Sequence, residues 1–273
     1  MTYTLEEIHA HWERWGKEHG TDLRATTRTP TIKLLEVDAL TRHLTAIRAE
    51  KGRPLTVLEA GCGNGHNTIE LAQTFPDCTF TAFDYVDEMV DAARELTAKA
   101  NLGDRLTVFQ DDVLKCANVT GRFDVVITVR CLINLNTDAL QMQALSALAD
   151  HVEPGGHMIL IENNMNTYGR QNDAREAAGL PRRTPAEFNH FFDEPLLLSQ
   201  LGKLGFDVAT DDFASLHDLL LYVLLPMLAD GKLQYDHPLM SAVTKLSLDL
   251  NNKTPNAVGE FGQNRLYFCS RRG

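Results

Sequence analysis

The chain has 273 residues, of which 23% are charged and 44% hydrophobic; this is typical of a globular protein and excludes disordered, collagen-like and disulfide-stapled classes. Its 26 basic and 37 acidic residues give a net charge of −11, so the surface repels phosphate backbones and we expect no nucleic-acid partner.

The five cysteines are odd in number and form no C-x-x-C pair, which favours reduced thiols and a cytoplasmic location. Residues 1–19 are charged and amphipathic, so we expect no secretory signal. The longest apolar run, from Leu219 to Leu225, is too short to span a bilayer, so no membrane partner is expected. His9 and His11 have no third ligand at a suitable spacing, and no metal is predicted.

Two helices precede the first strand signal. Thr4 and Glu7 form a capping box for the first helix, and Pro30 begins the second. We therefore predict an N-terminal helical cap over residues 1–52 and a Rossmann-like domain over residues 53–273.

Beyond the cap, short apolar runs alternate with helical stretches, which predicts an α/β fold with parallel strands and right-handed crossovers. The segment Pro154-Gly155-Gly156 predicts a turn into the fifth strand. Residues 163–193 indicate a loop with a short helix, and a helical insertion over about 214–262 precedes the last strand. The predicted strands are 55–60, 79–83, 106–110, 123–129, 157–161, 206–210 and 265–270.

The most informative segment leads from an apolar strand into a glycine loop. Gly61, Gly63 and Gly65 follow the first strand in a G-x-G-x-G pattern, which leaves the backbone open to a ligand. A side chain at Gly61 or Gly63 would occupy the ligand's space. A dinucleotide site has G-x-G-x-x-G, and the last position of that pattern is His66 here, which argues against a pyrophosphate.

Acidic residues follow the next two strands. Asp84 can accept two hydrogen bonds from a ribose diol, although NAD sites use such an acid too. Asp111 and Asp112 can accept from an adenine amino group, cap a helix or lie in a solvated turn. Together with Glu59, two residues before Gly61, this series resembles the class I S-adenosylmethionine-dependent methyltransferases.

The resemblance implies a doubly wound, seven-stranded sheet whose last strand is antiparallel, and S-adenosylmethionine as cofactor. It further implies these cofactor contacts: Glu59 with the Gly61, Gly63 and Gly65 loop at the methionine end, Asp84 at the ribose, Tyr85 and Met89 around the adenine, Asp111, Asp112 and Val113 at the adenine edge, and Val129 with Arg130 over the amino-acid moiety.

Three residues beyond the fourth and fifth strands are predicted to be catalytic. Many small-molecule members of this family have paired histidines after strand four, but this chain does not. Arg130 could clamp an anion or hold its loop, and Asn134 could orient the acceptor or cap a helix. Glu162 ends strand five, at the edge of the sheet where ligands bind in such folds. It could contact the methyl acceptor or act as a general base, or it could be an ordinary acidic residue of a loop.

The predicted reaction is methyl transfer to N, O or C of a small polar or heteroaromatic molecule, since cap-forming additions favour an enclosed substrate over a protein. The alternatives are an NAD-dependent oxidoreductase and a catalytically silent methyltransferase-like binding subunit; a homodimer stays open. Seven residues are predicted to line the acceptor pocket: Trp12, Trp15, Asn163, Tyr168, Arg175, His190 and Tyr222. The two tryptophans could instead only pack their helix onto the core.

Overall fold

A computed structural model describes residues 3–272 and contains a seven-stranded sheet of order β3-β2-β1-β4-β5-β7-β6. Strands β1 to β5 pair in parallel, and β7 runs antiparallel to both β5 and β6. The predicted sheet is therefore confirmed, including its antiparallel last strand. The strands are β1 Thr56–Ala60, β2 Thr79–Asp84, β3 Leu106–Gln110, β4 Phe123–Val129, β5 Val152–Asn163, β6 Phe206–Asp211 and β7 Asn264–Arg271.

Helices cover both faces of the sheet, as its central parallel strands require. The capping box at Thr4 and Glu7 is present at the start of the first helix. The helices are α1 Leu5–His19, α2 Pro30–Lys51, α3 His66–Thr74, α4 Asp87–Lys99, α5 Asp138–Asp150, α6 Met165–Ala177, α7 Glu194–Lys203, α8 Ser215–Leu219, α9 Leu225–Leu228 and α10 Pro238–Lys253.

The core lies on the two sides of the sheet. Every residue of β4 is buried, and alternate side chains point to opposite faces. Val125 and Ile127 belong to the cluster that packs under α2 and α3, whereas Val126 belongs to the cluster with α5 and α7. The carboxyl ends of β1, β2, β4 and β5 consequently emerge at one edge, where the site is built.

Strand β5 differs from the prediction because it begins at Val152, before the Pro154-Gly155-Gly156 segment. Its pairing with β4 jumps from Phe123↔Val152 to Val125↔His157, so the extra residues form an irregularity within the strand. The predicted turn into the fifth strand is therefore wrong, because Pro154-Gly155-Gly156 lies inside β5 as an irregularity and not before it.

Helix α6 has 13 residues, where the sequence indicated a loop with only a short helix. Apolar periodicity does not mark this helix, because the side chains it buries are mostly polar. Its buried residues are Thr167, Tyr168, Gln171, Asn172 and Arg175.

The insertion between β6 and β7 contains a π-helical turn, Leu220–Leu224, between α8 and α9. Pro226 lacks the amide hydrogen that a regular helix would donate to the carbonyl of Tyr222. The Nη1 atom of Arg175 donates to that carbonyl instead. The irregular turn therefore fixes the position of a buried arginine.

No helix within residues 3–272 is both long and apolar enough to cross a bilayer. The five cysteines are all free thiols.

Candidate functional site

A cavity of about 700 Å³ opens at the carboxyl ends of β1, β2 and β4, beneath α1. Its size suits a small-molecule or cofactor site. It brings together most of the residues predicted from the sequence. Those in its lining are Trp12, Trp15, Glu59, Gly61, Gly63, Asp84, Tyr85, Met89, Asp111, Asp112, Val113, Val129, Arg130, Asn134 and Asn163.

Six predicted residues do not line this cavity: Gly65, Glu162, Tyr168, Arg175, His190 and Tyr222. Gly65 is instead the N-cap residue of α3. His190 lies with its Nε2 atom 2.7 Å from a carboxylate oxygen of Asp138, away from the cavity.

The glycine loop is shaped by close approach of other parts of the protein. Gly61 and Gly63 have φ angles of 68° and 56°, which only glycine adopts easily. A Cβ atom on Gly61 would lie 2.3 Å from the Sγ atom of Cys131, and one on Gly63 would lie 2.5 Å from the Cγ2 atom of Thr26. A side chain would therefore meet protein before it met a ligand, which corrects the physical reason given for these glycines.

Asp84 connects the glycine loop to the turn after β2. Its Oδ2 accepts from the amide of Gly63 at 2.7 Å, and its Oδ1 accepts from the amide of Val86 at 3.0 Å. Burial raises the pKa of Asp84, and these hydrogen bonds lower it in part. Since each carboxylate oxygen has a second lone pair, Asp84 can still accept two hydrogen bonds from a diol.

Glu59 is buried at the end of β1 and accepts a hydrogen bond from the hydroxyl of Thr68. Burial raises its pKa to about 7, against the opposing effects of Thr68 and Lys33. A cationic ligand group beside Glu59 would therefore favour the ionised carboxylate.

Helix α2 contributes two charged residues that the sequence analysis missed, Lys33 and Glu36. The Nζ of Lys33 lies 3.4 Å from Glu36 and 3.2 Å from the Oδ1 of Asn67. The Nε of Arg130 donates to Glu36 at 2.8 Å. Burial acts to raise the pKa of Glu36, but Arg130 and Lys33 outweigh it and lower that pKa. The signal was available, because these charges interrupt the apolar face of α2.

Arg130 thus holds its loop through Glu36 and the carbonyl of Thr26, to which its Nη1 donates at 3.0 Å. It still lines the cavity, so a contact with an anionic ligand group remains sterically open.

The two aspartates after β3 differ in their surroundings. Asp111 is buried and accepts from the amides of Asp112, Ala117 and Asn118, which fixes the loop. Asp112 is partly exposed, and its Oδ1 accepts from the amide of Leu114. Asp112 is therefore better placed to meet a ligand edge.

Glu162 holds the loop after β4. Its side chain is fully buried and accepts from the hydroxyl of Thr128 and from the amides of Cys131, Leu132 and Ile133. Burial raises the pKa of Glu162 to about 7, although these hydrogen bonds act to lower it. Because its oxygens face the backbone and not the cavity, the geometry makes Glu162 a positioning residue.

Helix α1 covers one side of the cavity. The Nε1 of Trp12 donates to the Oδ1 of Asn134 at 3.0 Å, and the Nε1 of Trp15 donates to the carbonyl of Arg24 at 2.8 Å. The ring of His11 stacks on Phe188 with centroids 4.2 Å apart. Both tryptophans therefore line the cavity and also hold the helix in place.

The charge pattern and unused polar atoms of the lining fit an adenosyl amino acid. Asp84 offers hydrogen-bond acceptors for the ligand's ribose, and Glu59 offers a carboxylate for its ammonium group. Lys33 and Arg130 offer positive charge for the ligand's carboxylate. Two buried oxygens in the lining, Thr26 Oγ1 and Asn163 Oδ1, have no hydrogen-bond partner within residues 3–272.

Comparison with known proteins agrees with this arrangement. Residues 57–156 match the family described as a methyltransferase domain. The demethylmenaquinone methyltransferase of Deinococcus radiodurans is 29% identical over 128 residues, which cover 47% of this chain and 51% of that protein. The trans-aconitate 2-methyltransferase of Mycobacterium sp. is 45% identical over 51 residues, which cover 19% of this chain and 20% of that protein. The chain thus spans about half, or less, of the curated relatives it matches.

A solved structure shares the fold. The magnesium protoporphyrin IX methyltransferase of Synechocystis PCC 6803, solved with bound SAH, superposes with a TM-score of 0.55 and 19% identity, covering 88% of this chain and 84% of that one.

Proposed function

We propose that this chain, whose residues 57–156 match a methyltransferase domain, is a class I S-adenosylmethionine-dependent methyltransferase. It would transfer a methyl group from this cofactor to N, O or C of a small polar or heteroaromatic molecule. The observation that carries the proposal is that one cavity is lined by the glycine loop, Asp84 and Glu59 and also by Asn134 and Asn163.

The chain's own contribution is to position groups and exclude water. When bound, S-adenosylmethionine would supply an electrophilic methyl group on a sulfonium. Asp84 would accept hydrogen bonds from its ribose, and Glu59 would pair with the ammonium group of its methionine moiety. Fixing the acceptor in line with the methyl group is worth roughly 7–11 kcal/mol through orientation alone. Arg130 and Asn134 line the same cavity, and the side-chain amide of Asn134 is held by Trp12 and by the carbonyls of Arg130 and Cys131.

We further propose that residues 1–52 act as the cap of a catalytic domain over residues 53–273, with 214–262 as its helical insertion. Trp12 and Trp15 of the cap line the same cavity as Asp84, so the cap restricts the acceptor to small molecules.

The test is calorimetric titration of the protein and its Asp84→Ala variant with S-adenosylhomocysteine and with NAD. We expect the substitution to weaken S-adenosylhomocysteine binding by about 10- to 150-fold, since it removes hydrogen bonds to a charged group worth roughly 1.5–3 kcal/mol. Asp91→Ala, at an exposed side chain, serves as the matched control. Tight NAD binding, or equal affinity in Asp84→Ala, contradicts the proposal, and release of S-adenosylhomocysteine during turnover distinguishes an enzyme from a silent binding subunit.

A further inference from the structure

A second group of polar residues, four of them buried and two half-buried, borders the cavity and is not used by the cofactor contacts. We call it the α6 cluster and define it by Asn163, Tyr168, Gln171, Arg183, Tyr222 and Gln263. It reaches the cavity at Asn163 and Gln263, which belong to the cavity lining.

Arg183 lies at the centre of the α6 cluster. Its guanidinium carbon is 3.8 Å from the ring centroid of Tyr222 and 5.6 Å from that of Tyr168. Its Nη1 donates to the side-chain oxygens of Gln171 at 2.9 Å and Gln263 at 3.3 Å. Stacking on an aromatic face leaves the edge of the guanidinium free to bind an anion.

No carboxylate of residues 3–272 forms an ion pair with Arg183. The neighbouring Arg182 differs, because it pairs with Asp173 and Glu176 on the surface. The buried carboxylate of Asp218 lies nearby, where it accepts from the backbone amide of Gln263 at 2.7 Å, but it forms no ion pair with Arg183. The groups that contact the half-buried guanidinium directly are therefore neutral, whereas such sites normally contain a paired charge.

A second cation lies beside it. Arg175 is 2% exposed, and its Nε and Nη1 atoms donate to the carbonyls of Pro181 and Tyr222. It too forms no ion pair in the described part of the chain. Burial, with the nearby charge of Arg183, lowers the pKa of Arg175.

The α6 cluster also contains polar atoms that lack a partner. Tyr168 is 2% exposed and Gln171 is fully buried, yet neither the Tyr168 hydroxyl nor the Gln171 Nε2 has a hydrogen-bond partner among residues 3–272. Both can donate, since burial raises the pKa of Tyr168 and keeps its phenol protonated. Leaving such atoms unpaired is unfavourable, so their shared surroundings indicate an acceptor-rich ligand group.

We propose that the α6 cluster binds an oxyanion group of the methyl acceptor, a carboxylate or a phosphate, through Arg183, the Tyr168 hydroxyl and the Gln171 amide. This inference rests on the proposed function, because it names the acceptor class of the same cavity. The substrate is thus a small acid whose anionic group lies against α6 while the rest of the molecule extends past Asn163 toward Arg130.

The experiment uses the full chain saturated with S-adenosylhomocysteine and measures thermal stabilisation by succinate, inorganic phosphate and neutral succinamide at constant ionic strength. We expect saturable stabilisation by at least one anion and none by succinamide. Arg183→Gln should weaken anion binding by about 10- to 100-fold and Tyr168→Phe by a smaller factor, because each removes a donor to a charged group. Arg182→Gln, one residue away on the surface, should bind the anion as the unmodified chain does.

The outcomes separate the two proposals. Unchanged affinity for S-adenosylhomocysteine in Arg183→Gln shows that the variant folds and that the cofactor end is intact. If that variant still binds the anions, or if succinamide binds equally well, the oxyanion site is overturned while the methyltransferase proposal stands. If the unmodified chain does not bind S-adenosylhomocysteine, the proposed function itself fails. If Arg183→Gln loses the binding of succinate, the site takes a carboxylate. If it loses the binding of phosphate, the site takes a phosphate group.

Discussion

The two ends of the proposed binding site are built in different ways. At the proposed cofactor end, Glu59, Asp84 and Asp112 each lie at or just beyond the end of a parallel strand, and the strand order makes them neighbours. At the proposed acceptor end, Arg183 contacts Tyr222, which belongs to the β6–β7 insertion, and Gln263, which is the residue before β7. The first end depends on local sequence and sheet topology, whereas the second depends on tertiary packing of distant segments.

This contrast means that a variant can damage one end and leave the other intact. Substitutions in the loops after β1 and β4 should affect folding and cofactor binding together, because those loops pack against one another. Substitutions that remove only a polar group of the α6 cluster, such as Tyr168→Phe and Arg183→Gln, should weaken acceptor binding and leave cofactor binding unchanged.

The largest effect is expected at Glu162. Glu162→Ala leaves three buried backbone amides without an acceptor, and we expect it to lower the free energy of unfolding by about 3–5 kcal/mol. Glu162→Gln keeps the Oε1 acceptor and should cost only about 1 kcal/mol while retaining methyl transfer. Denaturant unfolding measures the first effect and an activity assay the second; loss of all activity in Glu162→Gln with normal stability would show that Glu162 is a base.

Gly61 tests the close packing of the two loops. Gly61→Ala adds a Cβ atom 2.3 Å from Cys131 Sγ at a left-handed backbone, so we expect it to destabilise the fold by about 3 kcal/mol. Gly121→Ala is the matched control, because Gly121 also has a positive φ of 80° but nothing within 4 Å of the added atom. The control should lose only about 1 kcal/mol, and equal losses in denaturant unfolding would contradict the packing argument.

The pH dependence of cofactor binding tests Glu59. An ammonium group requires the ionised carboxylate, and the pKa of Glu59 is raised to about 7, so affinity for S-adenosylhomocysteine should fall about tenfold from about pH 8 to about pH 6. Glu59→Gln should bind more weakly at pH 8 and lose this dependence, as calorimetry can show.

The raised pKa of Glu59 also affects the stability of the protein without ligand. Cofactor affinity should rise with pH, whereas the free energy of unfolding should fall. Between the ordinary pKa of 4.5 and about 7, the folded state without ligand holds more protons than the unfolded state, so its free energy of unfolding falls as pH rises through that window. Glu162 contributes in the same direction, and Glu59→Gln should therefore reduce this slope without removing it.

The smallest effect is expected at the cap. Trp12→Phe removes the hydrogen bond to Asn134 and should weaken cofactor or acceptor binding by about fivefold, equivalent to about 1 kcal/mol. Trp15→Phe removes a bond within the N-terminal segment instead and should change binding less. Equal losses in both variants would indicate that the tryptophans contribute only by packing.

The sequence predicted the sheet, and most of the residues that line the cavity, because their signals are local. Strand periodicity, the glycine loop and the acids after β2 and β3 lie within short stretches that topology brings together. Lys33 and Glu36 were missed because α2 was analysed for its apolar face alone. The length of α6 was missed because its buried face is polar, and no local pattern joins Arg183 to Tyr222.

Pro226 interrupts the regular hydrogen bonding of its helix, and this affects the residues around the proposed anion site. By withholding an amide, it leaves the Tyr222 carbonyl for Arg175. An alanine at this position would restore a competing donor and favour an unbroken helix, at the expense of the arginine's anchor. A change at Pro226 would therefore also disturb Tyr222, whose ring stacks on Arg183 in the proposed anion site.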